Sequence, residues 1–258
     1  MYIYQLSFGW LMKALSFIFT LLILVSSPLF AQGAPLTIAV DGFSPPFVLR
    51  GANNQLYGFD IAMMESLCKI MQRTCHFKLI PFKNILQAVE TKKVDLGVSA
   101  IIITPARAGR VNFSLPYLLS HSRFLGPNSL SGKSFGLEHL HNHIIGVEEG
   151  TVFPDAINSL GVKNPTIIHF HQLSDVVMAL RNGKIDIAIM DDASAMYWQS
   201  QSSGALLVWG APFLYGFGLG IAVNRDNPAL LAAINKALVQ YQDSPEFKRD
   251  YDKYISYW

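Results

Sequence analysis

The chain has 258 residues, 51% of them hydrophobic and only 15% charged, with a formal net charge of +2. A chain this apolar buries enough surface to offset its ordering entropy, which excludes disorder. With 20 Lys+Arg against 18 Asp+Glu, a bulk-charge footprint for nucleic acid is excluded as well. The length allows one large domain or two lobes of roughly 100 residues each.

Residues 1–31 carry a single charge, Lys13, followed by the uncharged run Ala14 to Val25, then Ser26-Ser27-Pro28 and the small residues Ala31 to Ala34. A basic residue, an apolar stretch, a helix breaker and small residues read as a secretory signal peptide over 1–31. Met1 or Met12 is the start, and the cut falls between Ala31 and Ala34. An uncleaved anchor is the competing reading, because Leu6 to Val25 is long enough to span apart from Lys13. Export favours a disulfide between the two cysteines, Cys68 and Cys75; two buried free thiols are the alternative. Seven residues of unbroken helix rise about 10 Å, so a bridge requires the helix to end between them.

Leu36-Thr-Ile-Ala-Val40 reads as a buried parallel strand. Gly58-Phe-Asp-Ile61 opens a helix with Ile61, Met64, Leu67, Cys68 and Met71 at 3–4 spacing. His76 to Ile80 is a second strand, Ile85, Leu86 and Val89 mark a short helix, and Val94 to Ser99 is a third strand. This β-α-β-α-β order is the doubly wound pattern. It then recurs. Ile144 to Val147 leads into the turn Glu148-Glu-Gly-Thr151 and a helix from about Pro154. Thr166 to Phe170 is a strand, Ser174-Asp175 caps a helix, and Lys184 to Met190 is the next strand. Lys93-Val-Asp-Leu and Lys184-Ile-Asp-Ile match at a separation of 91 residues (93 against 184), which predicts two similar α/β lobes. Ser122 to Gly132 reads as the connection out of the first lobe, and Gly216 to Val223 as the return. The boundaries are lobe 1 over 36–122, lobe 2 over 127–215 and a return to lobe 1 over 222–258. Asn227-Pro228 and Ser244-Pro245 start two closing helices.

Catalytic motifs are scarce: the sequence has no G-x-S-x-G elbow, P-loop or strand-linked G-x-G-x-x-G. His139, His141 and His143 alternate, and His169 and His171 repeat the spacing; alternation alone defines no ligand set, and a polar loop is the reading taken, with no metal and no cofactor. Thr104-Pro105-Ala-Arg107 follows the third strand, with Thr104 as N-cap and Pro105 at the first helical position. A guanidinium beside free helix N–H groups is a carboxylate receptor; a structural arginine paired with a helix end is the alternative. Asp191-Asp192 closes the matching strand of the second lobe and is suited to an ammonium or to capping the next helix.

Taken together, Ala39-Val-Asp-Gly-Phe-Ser-Pro-Pro-Phe47, Gly58-Phe-Asp-Ile61, Cys68 with Cys75, Thr104-Pro-Ala-Arg107, Phe113-Ser-Leu-Pro-Tyr117, Gly146-Val-Glu-Glu-Gly-Thr151 and Gly183-Lys-Ile-Asp-Ile-Ala188 resemble one family over nearly all of Leu36 to Trp258. That family is the periplasmic polar-amino-acid substrate-binding proteins of ABC transporters, with the arginine and lysine/arginine/ornithine binders the nearest group. The resemblance implies two doubly wound α/β lobes joined by a two-crossing hinge, the type II periplasmic binding protein fold. It implies that Arg107 grips the ligand carboxylate with help from Thr151, that Asp191 takes the α-ammonium, that Asp41 faces the distal end of the side chain and that Phe82 stacks on it. Ser99 and Ala100 complete the wall. The Cys68–Cys75 bridge matches the basic-amino-acid members.

Departures from the family pattern are Ser44 in place of an aromatic residue, with Phe43 beside it, and Ile102, Val152 and Phe153 at positions that are usually polar. Asp41 and Glu148 are both acidic and suit a cationic side chain. The expected activity is capture of an amino acid, arginine-like, in the periplasm and its delivery to an inner-membrane ABC permease by a monomer without nucleic-acid partners. Alternatives are a binder of apolar or aromatic amino acids, a secreted cyclohexadienyl dehydratase on the same fold with Glu148 or Glu149 as general acid, and a sensory domain.

Overall fold

The apolar run at Leu36 becomes β1 (Gly33–Val40), in which Leu36, Ile38, Ala39 and Val40 are fully buried, as a strand covered on both faces requires. The structure is a computed structural model that describes residues 33–130 and 135–256; the expected signal peptide lies outside them. A small hairpin, β2 (Leu49–Arg50) and β3 (Leu56–Tyr57), precedes α1 (Phe59–Ile70). The interior of α1 is held by Ile61, Met63, Met64 and Leu67. Gln72 then turns at φ 54, and β4 (Arg73–Leu79) runs back along the helix, so Cys68 and Cys75 meet in a disulfide. Next come α2 (Phe82–Glu90), β5 (Leu96–Gly97), the single turn α3 (Pro105–Ala108) and β6 (Asn112–Phe113).

The second lobe begins with β7 (His121–Pro127). Residues 121–127 are therefore not a connection, as the sequence suggested, but a strand lying between β10 (Ile187–Asp191) and β11 (Leu206–Leu214). The lobe continues through β8 (Ile144–Glu148), α4 (Phe153–Ser159), β9 (Thr166–Phe170), α5 (Leu173–Arg181) and α6 (Asp192–Ser200). The chain returns as β12 (Ala222–Val223), α7 (Pro228–Gln242) and α8 (Pro245–Tyr254). Two five-stranded sheets result, in the orders β4-β1-β5-β12-β6 and β11-β7-β10-β8-β9. β1–β5, β8–β10 and β8–β9 are parallel, and the strands added from the far side of each crossing are antiparallel.

The sequence repeat acquires a physical meaning here. The Asp95 carboxylate accepts the Thr37 N–H at 2.8 Å while Asp95 N–H donates to Thr37 C=O. In the second lobe the Asp186 carboxylate accepts Ile144 N–H at 2.8 Å and Asp186 N–H donates to Ile144 C=O. The same joint thus registers both parallel pairs. It also shortens the strands: the ladder begins after the aspartate, at Leu96 and Ile187, rather than at Val94 and Lys184. The helix at 173 begins earlier than its Ser174-Asp175 signal, because Gln172 already has extended backbone angles at the cap position.

Two crossings join the lobes and are bonded to each other. Ser120, 1% exposed, donates its hydroxyl to Tyr215 C=O at 2.6 Å and accepts Gly218 N–H at 3.1 Å. Tyr215 and Leu219 N–H groups donate to Ser120 and Leu118 C=O. Gly216 and Gly218 hold φ 79 and 96, where a side chain would collide with Ile102 or Pro116.

The disulfide closes a loop with a sequence separation of 7. Restricting so short a loop in the unfolded chain is worth about 2 kcal/mol. The double variant Cys68→Ser/Cys75→Ser should therefore melt roughly 4–8 °C lower by calorimetry. An unchanged melting temperature would show that the bridge is structurally idle.

Candidate functional site

Strands β5 and β10 both end at the gap between the sheets, the position where open α/β sheets bind ligands. The segments leaving these strands, with neighbouring loops, form the walls. From the first lobe come Ser44, Phe82, Ser99, Ala100, Ile102 and Arg107, and from the second Glu148, Thr151, Val152, Phe153 and Asp191. The free space left among them is about 20 Å³, on the order of one water molecule. A solute larger than a few atoms is therefore admitted only if the walls move apart.

Arg107 reaches this gap as anticipated from Thr104-Pro105: the Thr104 hydroxyl accepts Arg107 N–H at 3.3 Å and Pro105 is the first helical residue. The helix is a single turn, too short for a substantial macrodipole, so the charge it places at the gap is the guanidinium and not a helix terminus. Arg107 is 8% exposed, donates from Nη1 to Ile102 C=O and from Nη2 to Gly150 C=O, both at 2.8 Å, and lies 5.6 Å from the Phe82 ring centroid. The second bond crosses from one lobe to the other. Burial lowers the Arg107 pKa to about 10, opposed by the field of Asp191, and the group remains a cation at neutral pH.

Carboxyl groups outnumber this cation. Glu148 closes β8, is 6% exposed, and keeps Oε1 buried without a partner. Burial first, then the fields of Asp41 and Asp191, push its pKa up to about 9. Asp191 closes β10, where its Oδ1 is likewise buried without a partner, and burial pushes its pKa up to about 7. Asp41 is 3% exposed and raised by burial, although its oxygens accept N–H bonds from Phe43 and Phe82. It faces an adjoining space beside Pro81, Lys83 and His171 rather than the gap itself. Phe43 sits edge-on to Trp198 of α6 at 6.1 Å.

Sequence reading missed Leu173, Ile189 and Met190, which also border the gap. Leu173 lay hidden because its helix starts before its capping signal, and Ile189 and Met190 look like ordinary strand core. His139 lies in the short 3-10 helix Leu137–Leu140 and His141 and His143 in the turn after it, and no metal-binding cluster of His, Cys, Asp or Glu occurs among the described residues.

Comparison with known proteins gives these walls a family. Residues 36–257 match the model for bacterial extracellular solute-binding proteins, family 3. The chain is 30% identical over 223 residues to ABC transporter arginine-binding protein 1 of Escherichia coli (strain K12), covering 85% of this chain and 90% of that protein. Among solved structures, an arginine 3rd transport system periplasmic binding protein from Legionella pneumophila superposes with a TM-score of 0.79 at 31% identity, over 86% of this chain and 99% of that one. An ancestral amino acid-binding protein, a precursor of cyclohexadienyl dehydratase, superposes with a TM-score of 0.78 at 25% identity, over 86% of this chain and 96% of that one. Its two lobes have the type II periplasmic binding protein architecture, and the chain belongs to the bacterial extracellular solute-binding proteins of family 3.

Proposed function

We propose that this chain is the periplasmic capture component of an ABC transporter, taking an amino acid with a cationic side chain by lobe closure and presenting it to an inner-membrane permease. The observation that carries the reading is the pair of buried, unpartnered carboxylate oxygens, Glu148 Oε1 and Asp191 Oδ1, beside a single guanidinium. A zwitterion with one further positive charge satisfies all three groups: its carboxylate on Arg107, its α-ammonium on Asp191 and its distal cation on Glu148, with Asp41 adding field and Phe82 a flat wall. An apolar amino acid leaves the buried Glu148 Oε1 without a hydrogen-bond partner, which disfavours that alternative. The arginine-binding relatives support the same ligand class. The leader over 1–31 would supply export to the periplasm.

Closure is the mechanism. The ligand bridges groups that come from different lobes, so its differential affinity for the closed form sets the equilibrium. Three contacts assist: Arg107 to Gly150 C=O, the buried Ser194 hydroxyl donating to Pro45 C=O at 2.7 Å, and Lys83 paired with Glu149 at 2.5 Å on the rim. One observation favours a second reading: a carboxyl held protonated near neutrality in a cleft is what a general acid requires, and Glu148 is such a group. Incubation with prephenate or arogenate decides it, because an aromatic product would replace capture by turnover.

Calorimetric titration with L-arginine tests the clamp. Arg107→Ala leaves a ligand carboxylate buried without its partner at a cost of about 3–5 kcal/mol. That corresponds to an affinity loss of about 10²–10⁴; near-wild-type binding would refute the assignment.

Binding is also linked to protons. In the closed arrangement without ligand, burial pushes Glu148 up to about 9 and Asp191 up to about 7. A cation beside them lowers both, so the closed form without ligand holds more protons than the complex across that window. Arginine should release protons at pH 7, and its affinity should rise from pH 5 toward pH 9. Titration in buffers of different ionisation enthalpy measures the release; an enthalpy independent of buffer would contradict the charge pairing.

Gly150, at φ 81, brings its backbone against Lys83 of the other lobe, where an added Cβ would lie 2.5 Å from the Lys83 Cα. Gly150→Ala combines a left-handed alanine with that clash, and should shift the lobes apart at a cost of about 1–3 kcal/mol. Small-angle scattering at saturating arginine should give a larger radius of gyration for the variant than for the wild type.

A further inference from the structure

The motif Gly58-Phe59-Asp60-Ile61 does not reach the cleft, yet two cleft segments depend on it. Phe59 and Asp60, at the start of α1, donate their N–H groups to Pro46 and Phe47 C=O, both at 3.1 Å. The chain is pressed so closely here that a Cβ on Gly58, which holds φ 126, would fall 2.3 Å from the Phe47 oxygen. The loop held in this way carries Ser44 into the gap and presents Pro45 C=O to Ser194 of the second lobe.

The side chain of Asp60 does something different. It is fully buried, and it makes no cap to its own helix. Its Oδ2 instead accepts the Ala100 N–H at 2.8 Å, across 40 residues of sequence. Ala100 has φ 48, in the left-handed region that an alanine avoids by roughly 1–2 kcal/mol. It lines the gap at the bend from which Ser99 and Ile102 also reach it, and Ile102 C=O is the acceptor that fixes Arg107 Nη1. A buried aspartate serving only solvation would be better replaced by an apolar residue; one that anchors a strained amide has a positional task.

We propose that Asp60 is a positioning residue: its bond to the Ala100 amide holds the left-handed bend that sets Ser99, Ala100 and Ile102, and through Ile102 the Arg107 guanidinium, in their places for the ligand. This rests on the amino-acid capture reading. It predicts that the acceptor oxygen at residue 60 matters more than the negative charge, and that the need for it disappears when residue 100 adopts positive φ without strain.

The experiment compares wild type with Asp60→Asn, Asp60→Ala and Asp60→Ala/Ala100→Gly by L-arginine calorimetry, together with hydrogen exchange of the Ala100 amide in the ligand-free protein. Asp60→Asn keeps an acceptor, should retain Ala100 protection, and should bind within about threefold of wild type. Asp60→Ala should lose that protection and about ten- to a hundredfold in affinity. Adding Ala100→Gly should recover at least about threefold, because glycine takes the bend freely; a general loss of structure would not be rescued in this way.

Unchanged affinity in Asp60→Ala overturns the proposal, as does a loss in Asp60→Asn equal to that in Asp60→Ala, or the absence of rescue. If Asp60→Ala does not fold, the Ala100 amide in Asp60→Asn decides: retained protection supports the tether and lost protection overturns it. Failure of the wild type to bind L-arginine counts against the capture reading alone, and the Ala100 amide then judges the positioning role by itself.

Discussion

Charge balance in a buried gap little larger than a water molecule is the constraint on which the rest of this structure depends. Among the described residues, Glu148 and Asp191 share the gap with one buried cation, Arg107, Asp41 lies in the adjoining space, and Glu148 Oε1 and Asp191 Oδ1 have no partner. Left ionised and unpaired, such groups cost several kcal/mol each, so the free protein must protonate them or open to solvent. The raised pKa values of Glu148 and Asp191 are the first response. The hinge provides the second. Its two crossings are tied at Ser120 but include glycines at φ 79 and 96, and this combination keeps the strands in register while allowing the backbone to bend.

The contacts that cross between the lobes are correspondingly modest. Lys83 and Glu149 form a partly exposed pair, and such pairs are screened by solvent and salt. Ser194 with Pro45, and Arg107 with Gly150, add buried hydrogen bonds, each worth little in net terms once the water displaced is counted. With the edge-on Phe43–Trp198 ring pair they are the lobe-to-lobe contacts named above, and none is strong by itself. That is the condition for a ligand to control the equilibrium, since the population follows the difference in its affinity for the two states.

Much of this was legible in the sequence because local chemistry and tertiary role coincide. Pro after Thr104, Asn227 and Ser244 marks helix starts that the structure keeps, each with its capping side-chain bond. The Lys-x-Asp repeat pointed to two similar α/β lobes, and the structure adds what the aspartates do, joining each parallel pair at Thr37 and at Ile144. Other parts were not legible. β7 carries Ser122, Arg123, Gly126 and Pro127, residues that read locally as a connection; it is a strand only because β10 and β11 pair with it from both sides. β11 itself is interrupted by a register shift between Trp209 and Phe213, which obscures its period. The role of Asp60 was out of reach, because its partner lies 40 residues away and is a backbone amide, which carries no signature in a side-chain pattern.

The repeated joint also accounts for why opposite charges meet in the cleft. Asp95 and Asp186 register β5 and β10 in the same way, so both strands deliver their following residues to the same edge of their sheets. The turns beyond them then diverge. After β5 the chain bends at Ala100 and ends on a guanidinium at Arg107, whereas β10 stops at once on a carboxylate, Asp191, at the start of α6. On the capture reading, each lobe by itself recognises only one end of an amino acid. An isolated lobe would offer either a carboxylate receptor or an ammonium receptor, each open to water and weak. The duplicated fold turns two weak half-sites into one site of both signs, and Glu148, added to the Arg107–Asp191 pair, leaves that site complementary to a ligand carrying one more positive charge than negative.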